Sequence, residues 1–333
     1  MPQWLLDIVF FVLGFILLMY GAEFLVRGAS RLAARMKIPS AVIGLTIVAF
    51  GTSLPELVVS LIASANGSGE IAVGNIVGSN IANIGLILGI AATMATIKVD
   101  RYMMQREIPL LIGCTILFIA LSWNGQLGLV EGVILAAGLV AFTYYSFTSE
   151  REHPERLTES EATLEAFEAL DENVAQPSTH PVFDLGLILV GLIGLVVGAQ
   201  WLVGAAESLA RAFGISELVI GLTLVAVGTS LPELATTVAA VRQGETNIAV
   251  GNVIGSNIFN ILFIGGVSAM VNPLTVPAQV LNIDNWVMLA ITVIVLVMSW
   301  FNSHNLQRWH GLGLLALYTA YAVWLFTSGN VST

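Results

Sequence analysis

The sequence predicts an all-α, polytopic membrane protein with ten transmembrane helices arranged as two inverted five-helix repeats. Three observations predict it. Of the 333 residues, 56% are hydrophobic and only 10% are charged; a soluble domain carries about a quarter charged residues and could not bury so much apolar surface. The apolar residues fall into ten runs, most of them long enough to cross a bilayer. The chain also repeats itself at a fixed offset of 177 residues. This composition excludes disordered, collagen-like and disulfide-stapled classes, and the single Cys114 excludes an intrachain disulfide.

In chain order, the runs lie at about 4–26, 39–65, 70–95, 107–122 and 126–148. After a polar stretch they resume at about 184–207, 216–241, 247–271, 284–301 and 308–327. The predicted units are a first repeat, 1–148, an acidic loop, 149–183, and a second repeat, 184–333. Residues 150–172 of the loop hold nine acidic residues and two arginines, a net of -7. Most of the chain's charge of -10 therefore sits in one solvated linker. No D-x-D-x-D-G pattern marks a calcium loop there.

Lys and Arg set the expected orientation. Arg27, Arg31, Arg35, Lys37, Lys98, Arg101, Arg106, Arg151, Arg156, Arg242 and Arg308 lie in connections on one side, against Arg211 alone on the other. That side is expected to be cytoplasmic, with the middle loop inside, both termini outside and no cleaved signal. The expected place is the cell (inner) membrane, with the lipid bilayer as its surroundings. The sequence points to no nucleic acid and to no obligate protein partner.

The repeat is specific. GLTIVAFGTSLPEL at 44–57 recurs as GLTLVAVGTSLPEL at 221–234, and IAVGNIVGSNIANI at 71–84 recurs as IAVGNVIGSNIFNI at 248–261. The paired motifs thus span 44–84 and 221–261. Five spans per copy is odd, so the second copy enters the membrane from the opposite face. Arg27, Arg31, Arg35 and Lys37 align with Gly204, Ser208, Ala212 and Gly214, so the copy facing outward lacks the basic charge. Inverted repeats of this kind build secondary transporters with a site near the bilayer midplane.

Glu56 and Glu233 lie at matching positions in the middle of long apolar runs. A charge at the bilayer centre costs about 3 kcal/mol. No Lys, Arg or His lies in the interior of any of the runs, so the compensating charge must come from a proton or a bound cation. The neighbours are oxygen-bearing: Thr52, Ser53, Thr229 and Ser230 beside the carboxylates, and Asn83 and Asn260 from the second motif. Ser79 lies one helical turn from Asn83, and Ser256 one turn from Asn260. Pro55 and Pro232 break the helix, which is expected to free carbonyls near Ala49, Thr52, Ala226 and Thr229. A donor set of oxygen alone favours Ca²⁺ or Na⁺ over zinc or copper.

Plainer roles compete for some of these residues. A Ser or Thr in a membrane helix commonly bonds its own backbone. Asn75, Asn80, Asn252 and Asn257 read equally as packing, hinge or ligand residues. Gly74, Gly78, Gly251 and Gly255 are expected to let helices approach closely. Glu23, Glu107 and Glu131 are expected at the interface.

The paired G-T-S-x-P-E and G-N-x-x-G-S-N segments resemble the alpha repeats of the sodium/calcium exchanger family, within the cation/calcium antiporter superfamily, in its compact prokaryotic form. The resemblance spans nearly the whole chain and implies exchange of Na⁺ for Ca²⁺ by alternating access, with both ions as cargo and no cofactor. It implies that Glu56 and Glu233 are the shared carboxylates. Thr52, Ser53, Thr229, Ser230, Ser79 and Ser256 would complete the ion sites, and Ala49 and Ala226 would line flanking sodium sites through their carbonyls. Asn83 matches the family's amide position; Asn260 departs from relatives that carry Asp there, which argues against potassium dependence. The other readings are a cation/proton antiporter using the same carboxylates, a channel, and an intramembrane enzyme. The absence of embedded His and of a Ser/Lys or paired-Asp site speaks against the last.

Overall fold

The computed structural model describes residues 3–36, 40–149, 181–212, 226–302 and 304–329. Residues 150–180 of the predicted loop, Lys37 and residues 221–225 at the start of the second motif lie outside the described residues. The described chain is mostly helical. It begins with α1 (Gln3–Met36), α2 (Ser40–Thr52), α3 (Leu54–Ala65) and α4 (Gly69–Met94). A short β1 (Ile97–Lys98) precedes α5 (Met103–Ser122), and β2 (Gln126–Leu127) precedes α6 (Leu129–Ser149). Then follow α7 (Pro181–Ala212), α8 (Ala226–Thr229), α9 (Leu231–Arg242) and α10 (Thr246–Val271). The chain closes with β3 (Leu274–Thr275), α11 (Val280–Phe301), β4 (Asn305–Leu306) and α12 (Arg308–Gly329).

Among the described residues, seven helices are long and apolar enough to span a bilayer, and α2 with α3, bent by 46°, makes an eighth. The chain is therefore a multi-pass membrane protein. The 177-residue offset reappears in its elements: α3 and α9, α4 and α10, and β1 and β3 begin and end at matching positions. So do two pairs of π-helical turns, Asn83–Ile87 with Asn260–Ile264 and Met103–Glu107 with Val280–Asp284.

α4 and α10 form the centre. Their most apolar stretches are 78% and 83% buried inside the protein, against 22–39% for the other five single helices. The outer helices instead expose Ile8, Phe15, Val140, Val190 and Trp300, as lipid-facing walls do. α1 and α7 pack along their length as an antiparallel pair. Gly21 permits the contact, since a Cβ there would lie 2.8 Å from the Leu195 nitrogen. The pair is pinned near its ends: Arg35 Nε meets buried Asp184 at 3.2 Å, and Ser208 Oγ donates to Asp7 at 2.7 Å. Ser30 of α1 also donates to Glu245 in the turn between α9 and α10.

Two short antiparallel ladders join the halves. β1 pairs with β4, placing Ile97 opposite Leu306, and β2 pairs with β3, placing Leu127 opposite Leu274.

Several sequence expectations shift. The first apolar run was expected to end near 26, yet α1 continues to Met36, because its basic residues find partners along the way, Arg27 with Glu23 and Arg35 with Asp184. Glu107, expected at the interface, is 1% exposed within a π-helical turn. Gly251 and Gly255 do support close approach, but Gly74 and Gly78 face nothing within 4 Å among the described residues.

Candidate ion-binding site

The site forms where α2 gives way to α3. Pro55 sits in the first turn of α3 and has no N–H, so the Gly51 carbonyl loses its helical donor. The chain leaves helical geometry at Ser53 (φ -82°, ψ 8°) and at its repeat mate Ser230 (φ -89°, ψ 8°). Each break places a glutamate in the first turn of a new helix, Glu56 in α3 and Glu233 in α9, where the exposed N–H groups favour a carboxylate. Both side chains are 1% exposed.

The halves are cross-bonded at this level. Ser53 Oγ donates to Glu233 Oε1 at 3.0 Å, and Ser230 Oγ donates to Glu56 Oε1 at 3.0 Å. Ser256 Oγ lies 3.5 Å from Glu233 Oε1, and Thr229 lies beside Glu56. The serine of each break thus fixes the carboxylate of the other, which holds Glu56 and Glu233 at one place. The second oxygen, Oε2, of each is buried with no hydrogen-bond partner. Asn83 donates from Nδ2 to Asn257 Oδ1 at 2.9 Å, while its own Oδ1 is buried without a partner. Both amide atoms of Asn260 are buried and unpartnered too. Asn83 and Asn260 each open a π-helical turn, a distortion often found at functional sites.

The orphaned carbonyl and carboxylate oxygens of Glu56, Glu233, Asn83 and Asn260 fit a hard cation. Neutral donors stand close: Ser79 and Ser256 are buried, and Thr52 is fully buried. Among the described residues, no three His, Cys, Asp or Glu side chains cluster as a metal centre would require. The donors are two carboxylates and neutral oxygens, an arrangement suited to holding an ion briefly.

The predicted carbonyls fare differently. Ala49 O is not bare, since it accepts from Ser53 N at 3.1 Å and from Thr52 Oγ1 at 3.3 Å. A carbonyl has two lone pairs, so one is left for an ion when Thr52 Oγ1 donates to Asn252 Oδ1, at 3.1 Å, instead. Ala226 is described only as the first residue of α8.

Sequence reasoning left the first asparagine of each motif undecided. In the structure, Asn75 Nδ2 donates to the Glu56 carbonyl at 3.1 Å and to Ser60 Oγ at 2.9 Å. Asn252 Nδ2 likewise donates to the Glu233 carbonyl at 3.3 Å and to Thr237 Oγ1 at 3.1 Å. Sequence reasoning missed an aromatic wall beside Ser53. Phe50 packs on Phe259 and Phe263 with ring centroids 5.7 and 5.8 Å apart. Each of the three breaks the repeat, Phe50 against Val227, Phe259 against Ala82 and Phe263 against Leu86, and these departures are the signal that could have revealed it.

Comparisons with known proteins show the family. A family model described as sodium/calcium exchanger protein matches residues 6–148 and 183–327. The inner membrane protein YrbG of Escherichia coli K12 is 38% identical over 314 residues, covering 94% of each chain. The sodium/calcium exchanger MaX1 of Methanosarcina acetivorans is 34% identical over 340 residues, covering 95% of this chain and 97% of that one. A solved structure of the sodium-calcium exchanger NCX_Mj, soaked with Na⁺ and Ca²⁺, superposes with a TM-score of 0.81 at 32% identity, covering 96% of this chain and 98% of that one. With the family match spanning both halves, and relatives of such identity aligned along nearly their full length, the chain belongs to the sodium/calcium exchanger family.

Proposed function

We propose that this protein is a secondary active antiporter that exchanges Na⁺ for Ca²⁺ across the cell membrane by alternating access. The observation that carries the reading is the crossed pair of breaks: each serine orients the opposite glutamate, leaving Glu56 Oε2 and Glu233 Oε2 buried together without partners. Two carboxylates supply -2, which one Ca²⁺ neutralises. Na⁺ ions compete for the same oxygens, so the two cargoes exclude each other. The empty, doubly charged site is costly to carry through the bilayer, which couples the fluxes.

In this reading Glu56 and Glu233 are shared by both ions. Thr52, Ser53, Thr229, Ser230, Ser79, Ser256, Asn83 and Asn260 complete the donor set, and the Ala49 and Ala226 carbonyls flank it. The chain forms ten transmembrane helices in two inverted repeats, 1–148 and 184–333, with 149–183 as a cytoplasmic loop and both termini outside. The ladders support this topology, because each joins two connections that the ten-span reading places on one face. The α1–α7 pair is the element that slides, since its seam is glycine-lined and both helices lean on the broken segments: a Cβ at Gly51 would lie 2.3 Å from Leu192 Cδ2.

Everted membrane vesicles test the proposal. Ca²⁺ uptake should follow an imposed Na⁺ gradient and disappear in Glu56→Gln. Uptake driven by a pH gradient and indifferent to Na⁺ would instead assign a Ca²⁺/H⁺ antiporter using the same carboxylates.

A further inference from the structure

Asn252 is fully buried, and every polar atom of its side chain is engaged. Its Nδ2 reaches the Glu233 carbonyl and Thr237 Oγ1. Its Oδ1 faces the other half of the protein and accepts from Thr52 Oγ1 at 3.1 Å. Two other acceptors stand near Thr52 Oγ1: Ala49 O, at 3.3 Å, and the Glu233 carboxylate. One amide therefore links the backbone of one glutamate to a hydroxyl beside the opposite break.

A hydroxyl binds a cation through its lone pairs, so its single proton must point elsewhere. Where no acceptor takes that proton, the hydroxyl turns it toward any nearby oxygen, a carboxylate included, and loses value as an ion ligand. Asn252 Oδ1 is well placed to receive it. An asparagine suits this task because it donates from one end of its amide while accepting at the other. A carboxylate in its place would lose the donors, and an aliphatic residue would lose both ends.

We propose that Asn252 is a positioning residue for ion binding: it takes the Thr52 proton, aiming the Thr52 lone pairs into the site, while it fixes the Glu233 backbone. It touches no ion itself and acts through Thr52 and Glu233. This rests on the Na⁺/Ca²⁺ reading above, and on Thr52 as a ligand within it.

The test is a double-mutant cycle of Asn252→Ala and Thr52→Ala in purified protein, read as Na⁺ displacement of bound radioactive Ca²⁺. Loss of a hydrogen bond worth about 1 kcal/mol corresponds to roughly a fivefold change. Each single substitution should raise half-displacing Na⁺ about fivefold or more. In the Thr52→Ala background, Asn252→Ala should shift half-displacing Na⁺ by a clearly smaller factor than it does alone, the remainder passing through the Glu233 backbone. Multiplicative shifts would overturn the assignment, because a residue that merely packs would weaken the site whether or not Thr52 is present. Asn252→Asp, which keeps an acceptor for Thr52, should lie closer to wild type in half-displacing Na⁺ than Asn252→Ala; the reverse order also overturns it. If Asn252→Ala does not fold, Asn252→Asp replaces it in the cycle. There its shift, which passes through the Glu233 backbone alone, should be the same with and without Thr52, and an Asp shift that depends on Thr52 refutes the proposal. Wild-type vesicles assayed in parallel separate the two claims. Sodium-indifferent wild-type transport sinks the functional reading, whereas sodium-coupled transport with multiplicative shifts sinks only the role of Asn252.

Discussion

Residues 71–84 and 248–261 carry nearly one sequence, yet they sit in different surroundings. In α10, Gly251 and Gly255 are pressed against α2, where added Cβ atoms would lie 2.6 Å from Ala41 O and 2.4 Å from Leu45 O. In α4, Gly74 and Gly78 are exposed, with nothing within 4 Å among the described residues. Asn252 is fully buried, while Asn75 is half-buried. Local structure nonetheless matches: both asparagines hold a glutamate carbonyl, and both helices carry the same π-helical turn. A duplicated sequence thus sets the local clamps twice. Among the described residues α2 closes on the second copy; the repeat mates of residues 40–48, at 217–225, lie outside them.

The carboxylates test this comparison most strongly, because at their level the halves should be equivalent. Glu56→Gln and Glu233→Gln should each reduce Ca²⁺ uptake at least about a hundredfold, near the 3 kcal/mol upper end for contacts to a charged group. A large loss in one and not the other, measured as radioactive Ca²⁺ flux into vesicles, would break the proposed sharing.

The glycines should then separate the halves. Gly255→Ala forces a methyl into the Leu45 carbonyl and should cost about 1–3 kcal/mol, seen as a lower midpoint of thermal unfolding in detergent. Gly78→Ala meets none of the described residues and should hold or raise that midpoint, since Ala favours helix over Gly by about 1 kcal/mol. Equal destabilisation by both would show that the two seams are packed alike.

The smallest effect sharpens the crossed bonding. Ser53→Ala and Ser230→Ala each remove a 3.0 Å donor from a carboxylate. Each should weaken half-saturation by Ca²⁺ roughly fivefold, about 1 kcal/mol, and by similar factors. Unequal factors in Ca²⁺ titration would show that one break governs the site.

Much of the site could be read from sequence because membrane interiors make charge conspicuous. Glu56 and Glu233 stand out in apolar runs, and the 177-residue offset doubles the signal of every neighbour. What could not be read is tertiary. The serines lie beside their own glutamates in sequence, yet each bonds the other copy's carboxylate. Gly251 meets α2 at Ala41 and Leu45, a contact that the motif itself does not announce. The extension of α1 to Met36 was hidden because Arg27, Arg31 and Arg35 read as a loop until their acidic partners are known. The ladders escaped notice because two residues are too few for an alternating pattern.

Those ladders carry a consequence for how the protein is assembled. Each clasps one half to the other, β1 with β4 and β2 with β3, and the α1–α7 pair adds a third joint. Covalent continuity between the halves is then a convenience of synthesis, not a requirement of the finished molecule. A chain cut within residues 149–183 should stay together as two fragments, and the fragments expressed separately should find each other, like the two oppositely inserted subunits from which such a duplication can arise.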